Sequence, residues 1–327
     1  MGVAVAVPCT DRKRGGPPTP DSMLRSIDRG LPVADRAARW VDRLLSERER
    51  GMQRRLVDLY VGPGWRASME LVETISEAVG HAAAGYVVSA GLGLQPLGAE
   101  GAAWPRYSAT FTPGHPDAVV DRRDTGDVST TWWAALGRSE PLGATTFASL
   151  AADHDALIVV ASAPYLRAVR EDLIAAARGG FPVVAFTASP AQLGDLEEHL
   201  VRLDARTRAV VPASDARATA DFVAFVARAL HDDLFDVDAA REFVAQTLEG
   251  REPPRRPRGV TAEPEEVRAF IETSLRDDPG ARKGPLLRRW RDGGRAFEQK
   301  RFGEIYDEVA LSARSSESVS TKESWDD

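Results

Sequence analysis

Leu157-Ile158-Val159-Val160-Ala161 is an unbroken apolar run, β-branched at its centre, and it leads straight into Ser162-Ala163-Pro164-Tyr165. A half-exposed strand would alternate apolar with polar residues, so a short continuous run reads as a strand covered on both faces. Helical spacing follows over Leu166–Ala177. The same pattern recurs on either side. Val3–Val7 stops at the turn Pro8-Cys9-Thr10-Asp11, and Gly85-Tyr86-Val87-Val88-Ser89-Ala90 is broken by Gly91 and Gly93. Pro182-Val183-Val184-Ala185-Phe186 is a fourth strand and Ala209-Val210-Val211 a short fifth. Val33–Arg50 and Met69–Val79 carry apolar residues at helical period. Strands alternating with helices predict an α/β fold, a parallel sheet of four to five strands with helices on both faces. Ligands of such sheets bind beyond the carboxyl ends of the strands, which singles out the turns after Cys9, Ser89, Ala161 and Phe186.

The rest of the 327 residues divides around this unit. Residues 1–250 form the α/β domain, and Arg251–Gly259 opens a Pro/Arg linker over 251–263, too rich in proline for a helix interior. Three short helices with Gly-marked turns are predicted within 264–311, a helix-turn-helix-like DNA-binding module, followed by a disordered tail of Ser, Glu and Asp over 312–327. With 43% apolar and 28% charged positions the composition is that of a globular protein, and no run approaches the ~20 apolar residues that cross a bilayer. A single cysteine makes no internal disulfide and no Cys/His spacing suits zinc, so a cytoplasmic protein with no metal, no cofactor and no membrane partner is expected.

The net charge of −7 conceals a basic start and a basic stretch near the end. Residues 1–66 hold 13 basic against 8 acidic side chains, and residues 282–301 hold 8 against 2. Screening over roughly 10 Å lets a locally basic surface bind a polyanion despite the total. A solvated helix face explains the same charges. In the DNA-binding reading, Gln299, Lys300 and Arg301 open a recognition helix, while Arg282, Lys283, Arg288 and Arg289 hold flanking phosphates of double-stranded DNA.

No Walker loop, GxGxxG, HExxH or GxSxG is present, so the chemistry must be sought at the strand ends. Asp11 lies among Arg12, Lys13 and Arg14 after the first strand. A carboxylate there can activate a water while Lys13 and Arg14 hold phosphate, or the stretch is a solvated loop. Ser89, Tyr107 and Phe111 sit at or after the second strand, the two rings on a proline-bearing loop where they either stack on a base or close the lid of the sheet. The glycines after Ser89 leave room for a bulky base, or simply make a tight turn. Ser162 and Tyr165, and likewise Thr187-Ala188-Ser189-Pro190, place hydroxyls and backbone where an anion or a base edge can bind.

Pro8-Cys9-Thr10-Asp11-Arg12-Lys13-Arg14, Asp58-Leu59-Tyr60-Val61-Gly62 with Trp65, Ser89-Ala90-Gly91-Leu92-Gly93-Leu94 and Tyr107-Ser108-Ala109-Thr110-Phe111 occur in that order. As a set, covering about residues 3–200, they resemble an uncharacterised bacterial family distantly similar to the YaaA-type peroxide-stress proteins. The resemblance implies a fold akin to the uracil-DNA glycosylases. It also points to the antiphage glycosylases that excise glucosylated hydroxymethylcytosine from phage DNA. It places the water-activating carboxylate of that superfamily at Asp11, and Ser189-Pro190 faintly matches its last-strand loop. The Gln and His that accompany the carboxylate in the superfamily's first motif are absent here.

These readings predict a DNA glycosylase that flips a modified base of foreign DNA into a pocket, with Asp11 as the catalytic residue and Ser89, Tyr107, Phe111, Ser162 and Tyr165 around the base. Two alternatives stand beside it. One is a non-catalytic DNA-binding stress-response protein of YaaA-like type, and the other is a nucleotide- or nucleoside-processing enzyme.

Overall fold

The computed structural model describes residues 2–98, 101–120, 127–254 and 260–320, without the side chains of residues 127 and 313–320. The chain divides into two compact units, Met1–Pro254 and Arg255–Asp327.

The first unit is built on a six-stranded sheet. Its strands are β1 (Val3–Pro8), β2 (Ala83–Ser89), β3 (Gly93–Pro96), β4 (Ala156–Val160), β5 (Val183–Thr187) and β6 (Leu200–Arg202). They lie in the order β3-β2-β1-β4-β5-β6, with every neighbouring pair parallel except β2 and β3. The continuous apolar runs are buried on both faces, as a central parallel strand requires. The chain winds from β1 out to β2 and then returns to place β4 on the other side of β1, so the sheet reverses its winding between β1 and β4. That reversal opens a crevice at their carboxyl ends.

Two strand assignments change. The fifth parallel strand is Leu200–Arg202, whereas Ala209 and Val210 belong to a helical turn, Thr207–Val210. Three apolar residues are too few to separate strand from helix by periodicity alone. The antiparallel β3 follows β2 through the glycine turn, with Gly93 at φ +74°.

Helices α1 (Val33–Arg50), α2 (Pro63–Val79), α3 (Asp127–Gly137), α4 (Ala163–Arg178), α5 (Ala218–Leu230) and α6 (Val237–Leu248) surround the sheet. Helices α2 and α5 pack together, and α1, α3 and α4 form another contiguous set. Prolines at the starts of α2 and α4 fall where the missing N–H costs nothing.

The second unit has its own core of Val267, Ile271, Leu286, Trp290, Phe302 and Ile305. It comprises α7 (Pro264–Asp277), α8 (Lys283–Asp292) and α9 (Gln299–Ser320), with a two-residue parallel pairing of Val260–Thr261 against Arg295–Ala296. Helix α9 runs past position 311, so the expected tail is helical as far as Ser320; residues 321–327 lie outside the described part, as do 255–259 of the expected linker.

Candidate functional site

The carboxyl edge of the sheet carries two groups of hydroxyl side chains that differ in how they are satisfied. The first is a closed cluster. Ser89, at the end of β2, accepts the amides of Gly91 and Leu92 at 3.1 Å each and shares a hydrogen bond with the Tyr107 hydroxyl at 2.6 Å. Tyr107 is also hydrogen-bonded to Tyr60. Cys9 and Thr110 each lie 3.4 Å from the Tyr165 hydroxyl, and the Phe111 ring meets Tyr165 edge-on with centroids 5.3 Å apart.

Lys13 completes this cluster. The Lys13 loop pairs with the 59–61 segment through Arg14 N–H to Leu59 and Val61 N–H to Arg12, which turns Lys13 inward while Asp11, Arg12 and Arg14 face solvent. Its Nζ donates to the Thr10 carbonyl at 3.0 Å and stands over the rings of Tyr107, at 4.5 Å, and Tyr60, at 5.4 Å. Burial pushes the Lys13 amine below its ordinary range, only partly offset by Cys9 and Asp11. Burial likewise holds the hydroxyls of Tyr60, Tyr107 and Tyr165 protonated well above theirs.

The structure therefore gathers Ser89, Tyr107, Phe111 and Tyr165 into one place, but as core. Tyr107 is 1% exposed and Phe111 is 0% exposed, so neither presents a face on which a base can stack. Lys13, 5% exposed, does not reach a phosphate in solution. The glycine turn after Ser89 is not roomy: a Cβ on Gly91 would lie 2.5 Å from the Tyr107 ring, and Trp40 and Trp132 clamp the turn through indole N–H bonds to Gly91 and Ala90. Glycine is required there for close packing.

The second group lines an open cleft of about 510 Å³ at the β1/β4 reversal. Pro8, Val160, Ala161 and Ser162 come from the ends of β1 and β4, Ala188, Ser189 and Pro190 from the turn after β5, Gly64 and Ser68 from α2, Ala216 from the segment before α5, and Thr219 and Ala220 from the start of α5. None of these residues is charged. Ser162 is the N-cap of α4, yet its side chain makes no capping bond. Among the described residues the hydroxyls of Ser68, Ser162 and Thr219 have no hydrogen-bond partner in the protein, although Ser68 is only 7% exposed. Only Ser189 is engaged, accepting from the Ala191 amide at 3.2 Å. Sequence reasoning reached Ser162 and Ser189-Pro190 as strand-end residues. It missed Ser68 and Thr219, which stand inside helices and carry no local signal of their own.

In the second unit, Gln299, Lys300 and Arg301 do open α9 and are exposed. Their surroundings are mixed in sign. Lys283 pairs with Asp307 at 2.7 Å and Lys300 approaches Glu304 at 3.9 Å, so Lys283 is not a free phosphate ligand. Arg289 is held over Phe270 and bonded to Ser274, while Arg282 and Arg288 are exposed with no ion pair among the described residues.

No family model matches the chain, and no curated protein or solved structure matches it. Among the described residues no helix is long and apolar enough to cross a membrane, and no group of three His, Cys, Asp or Glu is placed to hold a metal ion.

Proposed function

We propose that the first unit binds a nucleoside-type ligand in the cleft at the β1/β4 reversal, as a nucleotide- or nucleoside-processing protein. The observation that carries this reading is the set of hydroxyls on Ser68, Ser162 and Thr219, which have no partner among the described residues and share one uncharged cleft. Ser68 is buried, Thr219 half-buried and Ser162 exposed, so all three hydroxyls are free to exchange water for a ligand without breaking a bond inside the protein. The volume falls within the roughly 300–1,000 Å³ usual for small-molecule sites. Hydroxyls suit the alcohols of a sugar and the edge of a base, and Pro8, Val160 and Pro190 offer apolar surface to a flat ring. The position is where doubly wound sheets hold nucleotides.

The test is equilibrium dialysis and thermal unfolding of the full chain with a panel of nucleosides and nucleotides. Saturable binding with stabilisation of about 2.7 kcal/mol at a hundredfold excess over Kd is expected. No binding by any member would remove the reading.

Base excision from DNA is the second reading. It is favoured by Asp11, exposed on the loop after β1 immediately before Arg12 and close enough to act electrostatically on Lys13, Tyr107 and Tyr165, although it does not itself line the cleft. On that reading the cleft, not the buried rings, would receive the flipped nucleoside. Release of glucosylated hydroxymethylcytosine from a duplex, seen as alkali-labile sites and lost in Asp11→Asn, is its signature.

A further inference from the structure

We infer that the ligand of this cleft is phosphorylated, and that its phosphate sits where the first turns of α2, α4 and α5 converge. The inference rests on the nucleoside reading above and adds the charge of the ligand to it. Gly64 lies in the first turn of α2, Ser162 is the N-cap of α4, and Thr219 and Ala220 lie in the first turn of α5; all four line the same cleft. These are long helices of 17, 16 and 13 residues, so each brings a developed positive end to the site. Among the described residues the backbone amides of Gly64, Ala163 and Thr219 donate to no protein group.

Helix ends alone describe many solvent-facing loops. Ser68 separates this case from those. The residue is only 7% exposed, lines the cleft and has no side-chain hydrogen-bond partner among the described residues. A hydroxyl can donate to a phosphate oxygen, and so can Ser162 and Thr219 beside it. No carboxylate lines the cleft to repel an anion. No lysine or arginine lines it either, so neutral donors and helix ends would carry the recognition, and the bound anion would need no counter-charge brought into the sheet. The remaining apolar surface, Pro8, Val160 and Pro190, is left for the uncharged part of the ligand.

The experiment titrates the full chain with the four common ribonucleosides, their 5′-monophosphates and inorganic phosphate, and repeats the titrations on Ala163→Pro. Proline is well tolerated at the first position of a helix, and Ser162 before it already has the extended ψ of 160° that a following proline demands, so the variant removes one amide donor on a backbone already suited to it, although Ala163 is buried and the ring must fit among its neighbours. Monophosphates should bind at least about ten-fold more tightly than their nucleosides, and inorganic phosphate should compete with them. Ala163→Pro should reduce that advantage severalfold and leave nucleoside affinity unchanged. Should Ala163→Pro fail to fold, Ser162→Ala is expected to weaken the monophosphates and inorganic phosphate more than the nucleosides, which reduces the same advantage. Equal affinity for nucleosides and monophosphates would overturn the phosphate subsite while sparing the nucleoside reading. So would a phosphate advantage untouched by both variants. Absence of binding by every compound would overturn both.

Discussion

The two hydroxyl groups at the carboxyl edge of one sheet face opposite fates. Around Tyr107 every hydroxyl has a protein partner and the space is filled; around Ser162 three hydroxyls have none among the described residues and the space is open. Each group has members at strand ends, Ser89 in one and Ser162 and Ser189 in the other, and those look alike in sequence. What separates them is whether neighbouring elements close over them. The α1 and α3 tryptophans Trp40 and Trp132 clamp the turn after Ser89, whereas α2 and α5 meet the β1/β4 crevice with small residues such as Gly64 and Ala220. The closed group can serve only the fold, while the open one is free to meet a ligand.

The largest effect that can break this contrast is in the closed cluster. Tyr107→Ala should cost about 3–5 kcal/mol, since it empties a core site and strips Ser89 and Tyr60 of a partner. Urea unfolding measures the loss. Ligand affinity per folded molecule should stay unchanged, and a variant of normal stability that no longer binds would move the site into the cluster.

Alkaline titration comes next. Tyr60, Tyr107 and Tyr165 keep their protons in the folded chain above pH 10, where the unfolded chain releases them. The native state then holds more protons, so stability falls as pH rises past 10. Lys13 acts in the opposite sense between its lowered native value and 10.5, where the native state holds fewer protons and stability rises with pH. Ultraviolet titration should therefore find three of the five tyrosines ionising only with unfolding. Ionisation of all of them near pH 10 in native protein would show the cluster to be open.

The cleft should give the reverse signature. Ser162→Ala and Thr219→Val are expected to change stability by less than about 0.5 kcal/mol, because neither hydroxyl bonds to the protein among the described residues. Each should weaken the ligand by about 1 kcal/mol, some five-fold in Kd by calorimetry. The smallest effect belongs to the second unit. Lys283→Ala removes a largely exposed ion pair and should alter unfolding by no more than about 0.5 kcal/mol. Gel shifts across a salt series with Arg282→Ala and Arg288→Ala decide whether that unit binds DNA, which requires a steep loss of affinity as salt rises.

Much of the fold was legible because continuous apolar runs such as Leu157–Val160 have few other readings. Ala209–Val211 was not, being short enough for either structure. At the site, Ser162 and Ser189 were visible through their position after a strand, a consequence of topology. Tyr107 and Phe111 misled because a ring on a loop carries no periodicity to say whether it is covered; only the path of residues 101–120 across α1 and the Ser89 turn decides that. Ser68 and Thr219 could not be found at all, since their meaning depends on α2 and α5 converging from distant parts of the chain.

The most direct measurement is nucleoside affinity in Ser162→Phe, which places a ring in the cleft from an exposed residue that makes no internal side-chain bond. Binding should fall by more than about ten-fold while the melting temperature holds. Undiminished binding in that variant would contradict the assignment of the cleft as the ligand site.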